Sequence, residues 1–261
     1  MINRNNKKFI VIKLIDKTIF FGFLAFIRRK YLKILSNKSL KKCEYEINIH
    51  YSDRKNKLDL LCDLYGSDKG YYNISDRIFF NNWHPHTYTD VYSMLFDHCK
   101  ENIENVFECG IGTNTNLISG MGDKYKPGAS LRVWQDYFNN ANIYGADIDK
   151  NILFNEDKIK TFYVDQLEKE SIKSLWQKME DIKFDLMVDD GLHTFEAGKT
   201  LFENSFHKLK DNGIYIIEDV SHLYLFKLAN YFSKYNHCII KLKSKRNNLL
   251  EDNNLIMIKK N

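Results

Sequence analysis

Residues 105–112 read Asn105-Val106-Phe107-Glu108-Cys109-Gly110-Ile111-Gly112, and this stretch decides the fold class. A short apolar run breaks on two glycines at i and i+2. Glycine lets the backbone turn tightly and come close to a ligand. A second apolar run further on, Ile143-Tyr144-Gly145-Ala146-Asp147, ends in an acid. In an open α/β sheet the carboxyl ends of the strands share one crevice, so the turn and the acid are expected to face the same ligand.

Outward from this pair the chain alternates strand-like and helix-like segments. The apolar runs are 105–109, 142–146, 159–164, 184–189, 213–218, 237–242 and 255–259. Helical spacing separates several of them, as in 170–180 and 194–209. Such alternation predicts an α/β, Rossmann-like domain with a seven-stranded, mostly parallel sheet and helices on both faces. Residues 1–50 are expected to form a basic, apolar, helical extension. Residues 51–104 are expected to form a lid or helical part, with 44–60 as a charged linker or short helix, and residues 105–261 the core.

The glycine turn alone could equally mark a plain strand–helix corner or a dinucleotide site. Two features favour S-adenosylmethionine. The third glycine of a dinucleotide fingerprint is replaced by Thr115. Glu108 precedes the turn, where a carboxylate repels a pyrophosphate but suits a cationic amino-acid ligand. Asp147 is placed to bind ribose hydroxyls. The third core strand ends in Asp165-Gln166, polar groups suited to an adenine edge; Asp165 could also be a helix cap.

The fourth strand ends in Asp189-Asp190-Gly191-Leu192-His193 and the fifth in Glu218-Asp219. Oxygen donors of this kind suit Mg²⁺ or Mn²⁺. A hard cation lowers the pKa of an alcohol, and a histidine that titrates near neutrality can take its proton. The catalytic expectation is therefore Asp190 and His193, with adjacent acids as strand-end caps the plainer alternative.

The 261 residues carry a net charge of +5, but residues 1–43 alone hold twelve Lys/Arg against Asp16, so the remainder is net acidic. That argues against a nucleic-acid partner, which would want a basic face on the folded body. The five cysteines show no C-x-x-C pair, as suits free thiols in a reducing cytoplasm. In residues 9–33 the uninterrupted apolar stretch Thr18–Ile27 is half of what a membrane span needs. It reads either as a helix packed on the domain or as a basic amphipathic contact with the inner membrane surface.

Several segments together resemble the metal-dependent sugar O-methyltransferases of the macrolide (mycinamicin and tylosin) type, in the class I methyltransferase superfamily, with relatives acting on bacterial surface sugars. They are Leu64-Tyr65-Gly66-Ser67-Asp68-Lys69-Gly70, Tyr88 and Tyr92, residues 107–116, Gly128-Ala129-Ser130-Leu131-Arg132-Val133-Trp134, Asp136-Tyr137-Phe138, and the strand ends above. The resemblance spans residues 61–220. It implies cofactor contacts at Glu108, Gly110, Asp147, Asp165 and Gln166, to which Gly112 and Asp189 are added. It further implies metal ligands Asp190, Glu218 and Asp219, and His193 as general base. Three positions depart from the family pattern: the segment Thr113–Asn116, Val164 for a glycine, and Leu192 for a serine.

Tyr65, Lys69, His84, His86, Tyr88 and Arg132 are candidate acceptor contacts, Arg132 through a phosphate. The expected reaction is methylation of a sugar hydroxyl, on a nucleotide-activated heptose or hexose for capsule or lipopolysaccharide, by a homo-oligomer. A non-sugar or phosphoramidate acceptor and a degenerate membrane-associated assembly protein are the alternatives. Intact Asp190, His193, Glu218 and Asp219 speak against the last.

Overall fold

The computed structural model describes Lys30 and residues 46–50, 55–70, 86–114, 125–243 and 252–261. His84 and nearly all of the 9–33 segment lie outside the described residues.

Among the described residues nine strands follow in chain order: β1 (Glu46–His50), β2 (Asn105–Cys109), β3 (Asn142–Asp147), β4 (Asn155–Glu156), β5 (Ile159–Tyr163), β6 (Phe184–Asp189), β7 (Leu209–Ile217), β8 (His237–Lys243) and β9 (Asn254–Lys259). Six α-helices are described: α1 (Lys57–Tyr65), α2 (Tyr88–Phe96), α3 (Ala129–Tyr137), α4 (Lys169–Gln177), α5 (Phe195–Ser205) and α6 (His222–Phe232). The strands form one sheet in the order β1-β8-β9-β7-β6-β2-β3-β5-β4. Strand β9 runs antiparallel to β7 and β8, β4 antiparallel to β5, and the other pairings are parallel. Without the two edge strands this is the strand order of the Rossmann-like class I methyltransferase fold. All seven expected strands are present. Strands β1 and β4 are additional, so the sheet is wider than expected, and residues 46–50 belong to it and not to a helical extension.

Alternation along each strand supplies two apolar faces. Val106, Ile143, Leu186 and Val188 face a layer containing α1, α2 and α3. Phe107, Tyr144, Phe184 and Met187 face α4, α5 and α6. Strands buried on both faces read as continuous apolar runs, which is why they were visible in sequence.

The described helices of the segment expected as a lid or helical part pack into the body, while its residues 51–54 and 71–85 lie outside the described residues. Leu58, Val91 and Tyr92 are fully buried against the sheet. Helix α1 starts with a capping box: the Asn56 side chain accepts from the Asp59 N–H at 2.9 Å, and the Asn56 N–H donates to Asp59 at 2.8 Å. Among the described residues of this region, those that border the crevice are in the loop 67–69.

From β2 the chain goes outward to β3 and β5, then returns to β6 on the other side. The order reverses between β2 and β6, where open α/β sheets bind ligands.

Candidate active site

The carboxyl ends of β2, β3, β5, β6 and β7 surround a cavity of about 500 Å³. Gly110 has φ +88° and Gly112 φ +109°. A Cβ on Gly110 would stand 2.1 Å from the Asp190 carbonyl oxygen, so the turn is pressed against the end of β6. The Asp190 N–H donates to the Cys109 carbonyl at 2.8 Å and the Gly110 N–H to the Ala146 carbonyl at 2.8 Å. These bonds tie the turn to both neighbouring strands. Asp147 accepts from the Ile111 N–H at 2.9 Å and from the Asp149 N–H at 2.9 Å, and it faces the cavity. Asp165 also lines it and accepts from the Leu167 N–H at 3.0 Å.

Two expected cofactor contacts are engaged elsewhere. Glu108 is fully buried behind the turn. Its carboxylate accepts from the Ser130 hydroxyl at 2.6 Å and from the Trp134 indole N–H. It is also 3.4 Å from the Lys69 ammonium. Gln166 borders the cavity, but its amide braces the β6 exit, donating to Asp189 at 2.6 Å and accepting from the Leu192 N–H at 2.9 Å. Asp189 points away from the cavity with one carboxylate oxygen buried and unpartnered, and burial pushes its pKa up to about 6.

Asp190, His193 and Asp219 present ligand atoms within 4.8 Å of one another, and all three line the cavity. His193 and Asp219 have left-handed backbones, φ +54° and +50°, a strain that ordinary residues hold at a cost of about 1–3 kcal/mol each. His193 Nδ1 lies 3.7 Å from Asp219. Asp219 also accepts from the Tyr88 hydroxyl at 2.5 Å and meets His86 Nε2 at 3.4 Å. Burial alone would raise the Asp219 pKa; His86, His193 and the Tyr88 hydroxyl hold it below the usual carboxylate range. The two carboxylates fit a hard divalent cation, and the imidazole stands beside them where a proton acceptor is needed.

Glu218, expected beside them as a ligand, is turned inward and fully buried. One oxygen accepts from the Tyr92 hydroxyl at 2.5 Å and the other from the Lys69 ammonium. Lys69 also bonds Asp190 at 2.6 Å. Burial would lower the Lys69 pKa, but Asp190, Glu108 and Glu218 more than offset it and keep the ammonium charged.

No family model matches the chain. Over 144 residues it is 31% identical to the 8-demethyl-8-alpha-L-rhamnosyl tetracenomycin-C 2'-O-methyltransferase of Streptomyces olivaceus, covering 55% of this chain and 36% of the relative. Over 135 residues it is 30% identical to the mycinamicin VI 2''-O-methyltransferase of Micromonospora griseorubida, covering 52% of this chain and 32% of the relative. The chain thus spans about a third of the length of these curated relatives. Among solved structures it is similar to the MycE methyltransferase of the mycinamycin biosynthetic pathway in complex with Mg and SAH. That likeness has a TM-score of 0.48 and 27% identity, and covers 64% of this chain and 38% of the other.

The remaining candidate acceptor residues separate. Tyr65 donates to Asp136 at 2.5 Å, tying α1 to α3 and not lining the cavity. Arg132 forms a two-pronged pair with Glu156 at 2.8 and 2.7 Å and lies over Phe154, so its guanidinium is already occupied on the outer side of α3. His86 and Tyr88 reach the site through Asp219. Leu192 is 52% exposed at the cavity rim. Asn253 and Tyr125 carry no expectation from sequence, and Tyr92 enters there through the family resemblance without a site role. Asn253 pairs with His86 at 3.3 Å, and the Tyr125 hydroxyl accepts from the Thr113 N–H at 2.8 Å on the cavity wall. Tyr92 had a readable signal: it follows Tyr88 by four residues, which puts both on one helix face.

Proposed function

We propose that this chain transfers a methyl group from S-adenosylmethionine to a sugar hydroxyl with the help of a divalent cation. The observation that carries the reading is convergence. One cavity of about 500 Å³ holds the glycine turn and Asp147 as well as the Asp190, His193 and Asp219 trio. Relatives whose printed names are sugar O-methyltransferases support the same class.

The turn brings backbone close to the methyl donor, and Asp147 has lone pairs left for ribose hydroxyls after its two backbone bonds. Asp190 and Asp219 would hold the cation, which supplies Lewis-acid polarisation of a hydroxyl when bound. His193, with Nδ1 turned toward Asp219, presents Nε2 as the nitrogen that receives the hydroxyl proton. In the transfer a C–S bond breaks, a C–O bond forms and the proton moves to His193.

The acceptor is a sugar by this reading. The narrower form, a nucleotide-activated heptose or hexose for capsule or lipopolysaccharide, draws nothing from Arg132, whose guanidinium is held by Glu156. Contact of residues 9–33 with an anionic membrane surface rests on the +11 charge of residues 1–43. Among the described residues no helix is long and apolar enough to cross a membrane. Co-sedimentation with anionic vesicles, lost on deleting residues 1–43, tests that contact; unchanged sedimentation refutes it. The homo-oligomer rests on family resemblance alone, and light scattering decides it.

The main test is a thermal shift. A ligand that binds only the native state raises Tm by mass action. S-adenosylmethionine should raise the Tm, and a glycoside screen by mass spectrometry should find acceptors gaining one methyl. No shift at millimolar cofactor sinks the proposal.

A further inference from the structure

The glycine turn gives up most of its backbone donors to the chain itself. The Gly110 N–H donates to the Ala146 carbonyl at 2.8 Å and the Ile111 N–H to Asp147 at 2.9 Å. The Thr113 N–H donates at 2.8 Å to the Tyr125 hydroxyl. That hydroxyl stands over the turn, where a Cβ on Gly112 would lie 2.1 Å from it. The room left by the second glycine is therefore lined by a phenol, and Tyr125 borders the cavity. The phenol oxygen accepts one bond, and its proton meets no acceptor among the described residues. Burial, with Asp68, Asp147 and Asp190 nearby, pushes the Tyr125 pKa up to about 12, so the group keeps its proton at neutral pH. The rest of the wall offers an anion little. Six aspartates, Asp68, Asp147, Asp149, Asp165, Asp190 and Asp219, border the cavity against Lys69 and His193. Lys69 itself stands among Glu108, Asp190 and Glu218. Such a wall suits the sulfonium and the ammonium of S-adenosylmethionine. The same ligand carries a carboxylate, which is costly to bury without hydrogen-bond donors.

We propose that Tyr125 is a cofactor contact whose hydroxyl donates to the methionyl carboxylate of the methyl donor. The inference rests on the proposed S-adenosylmethionine site and names the group that meets the ligand's anionic end. Thr113 prepares that group, because a hydroxyl whose oxygen already accepts a bond is polarised into a better donor. The bond from Thr113 need not break when the ligand arrives, since a phenol accepts through a lone pair and donates through its proton. Gly112 is the counterpart of Tyr125: a side chain there would push the hydroxyl off the turn.

The test is calorimetric titration of the purified full chain with two ligands, S-adenosylmethionine and its decarboxylated form, with circular dichroism as the check on folding. Tyr125→Phe keeps the ring and removes the donor. It should weaken S-adenosylmethionine binding about tenfold, as for one hydrogen bond to a charged group. Binding of the decarboxylated ligand should stay within about twofold of wild type, because that ligand has no carboxylate to lose. Equal losses for the two ligands overturn the inference, since Tyr125 would then only shape the wall. Unchanged binding of S-adenosylmethionine by a folded Tyr125→Phe chain overturns it as well, and leaves the methyl-donor reading intact. If Tyr125→Phe does not fold, the wild type decides. A preference of about tenfold for S-adenosylmethionine over its decarboxylated form supports the inference, and equal affinities overturn it. A wild type that binds neither ligand sinks the methyl-donor reading and this inference with it.

Discussion

At the scale of single residues, the glycines of the turn differ in what they oppose. Gly110 meets backbone: a Cβ there would lie 2.1 Å from the Asp190 carbonyl oxygen and 2.7 Å from the Gly191 Cα. Gly112 meets the Tyr125 hydroxyl at 2.1 Å, the far end of a side chain that can swing aside. Both have positive φ, but only Gly110 is locked between two strands. Gly110→Ala should therefore destabilise by about 2 kcal/mol or more, through strain and overlap together. Gly112→Ala should cost visibly less. Urea titration of the two variants checks the order, and equal losses would contradict it. Cofactor affinity should fall further in Gly110→Ala, because the Asp190 exit must move. The strand-end acids and His193 were legible because each closes an apolar run. The pairing of Lys69 with Glu218 was not, since 149 residues separate them and no local pattern records such a contact. Glu108 misled for a related reason: its place before the turn is visible in sequence, but the Trp134 and Lys69 partners that draw it inward are not.

At the scale of elements, helices α1 and α2 matter most, because sequence leaves open whether they are a lid or a packed helical part and the fold packs them on one face of the sheet. Their apolar spacing was visible; the surface that receives it was not, since Leu58 and Tyr92 share a core with Val106, Val188 and Ile240 from distant strands. The edge strands were missed for a similar reason. β1 has five residues and exists through its parallel pairing with β8, nearly two hundred positions away. The two-residue β4 is an antiparallel return onto β5. Two substitutions on α1 distinguish a body helix from a detachable lid. Leu58 is completely buried, so Leu58→Ala should cost about 2–5 kcal/mol in global unfolding. Leu60 is 56% exposed, and Leu60→Ala should stay within about 0.5 kcal/mol of wild type. A lid would give small values for both, and a Leu58→Ala loss below about 1 kcal/mol would count against the packed layer.

For the whole molecule the question is whether the two faces of the sheet open together. The thiols report on this without further substitution. Cys62 lies in α1 with the α1–α3 layer, and Cys109 at the end of β2 faces the opposite core. Both are buried, and burial pushes both thiols well above their ordinary pKa. Cys238 is less deeply set, its pKa pushed up by burial to about 11, and Cys99 is half-buried near the end of α2. Alkylation needs the thiolate and access to it. Among the four cysteines of the described residues, iodoacetamide should therefore label Cys99 first in native protein, then Cys238, with Cys62 and Cys109 protected until the surrounding structure opens. If the helical layer and the sheet form one cooperative body, Cys62 and Cys109 should be labelled at the same slow rate, that of global opening. Peptide mass spectrometry over a time course reads these rates directly. A ligand that closes on the Gly110 turn should slow both by one factor, because stabilising the native state lowers every opening that requires global unfolding. Faster labelling of Cys62 than of Cys109 without ligand would mean that α1 and α2 open independently of the sheet, whereas slowing of Cys109 alone would report direct shielding by the ligand, since Cys109 lines the cavity.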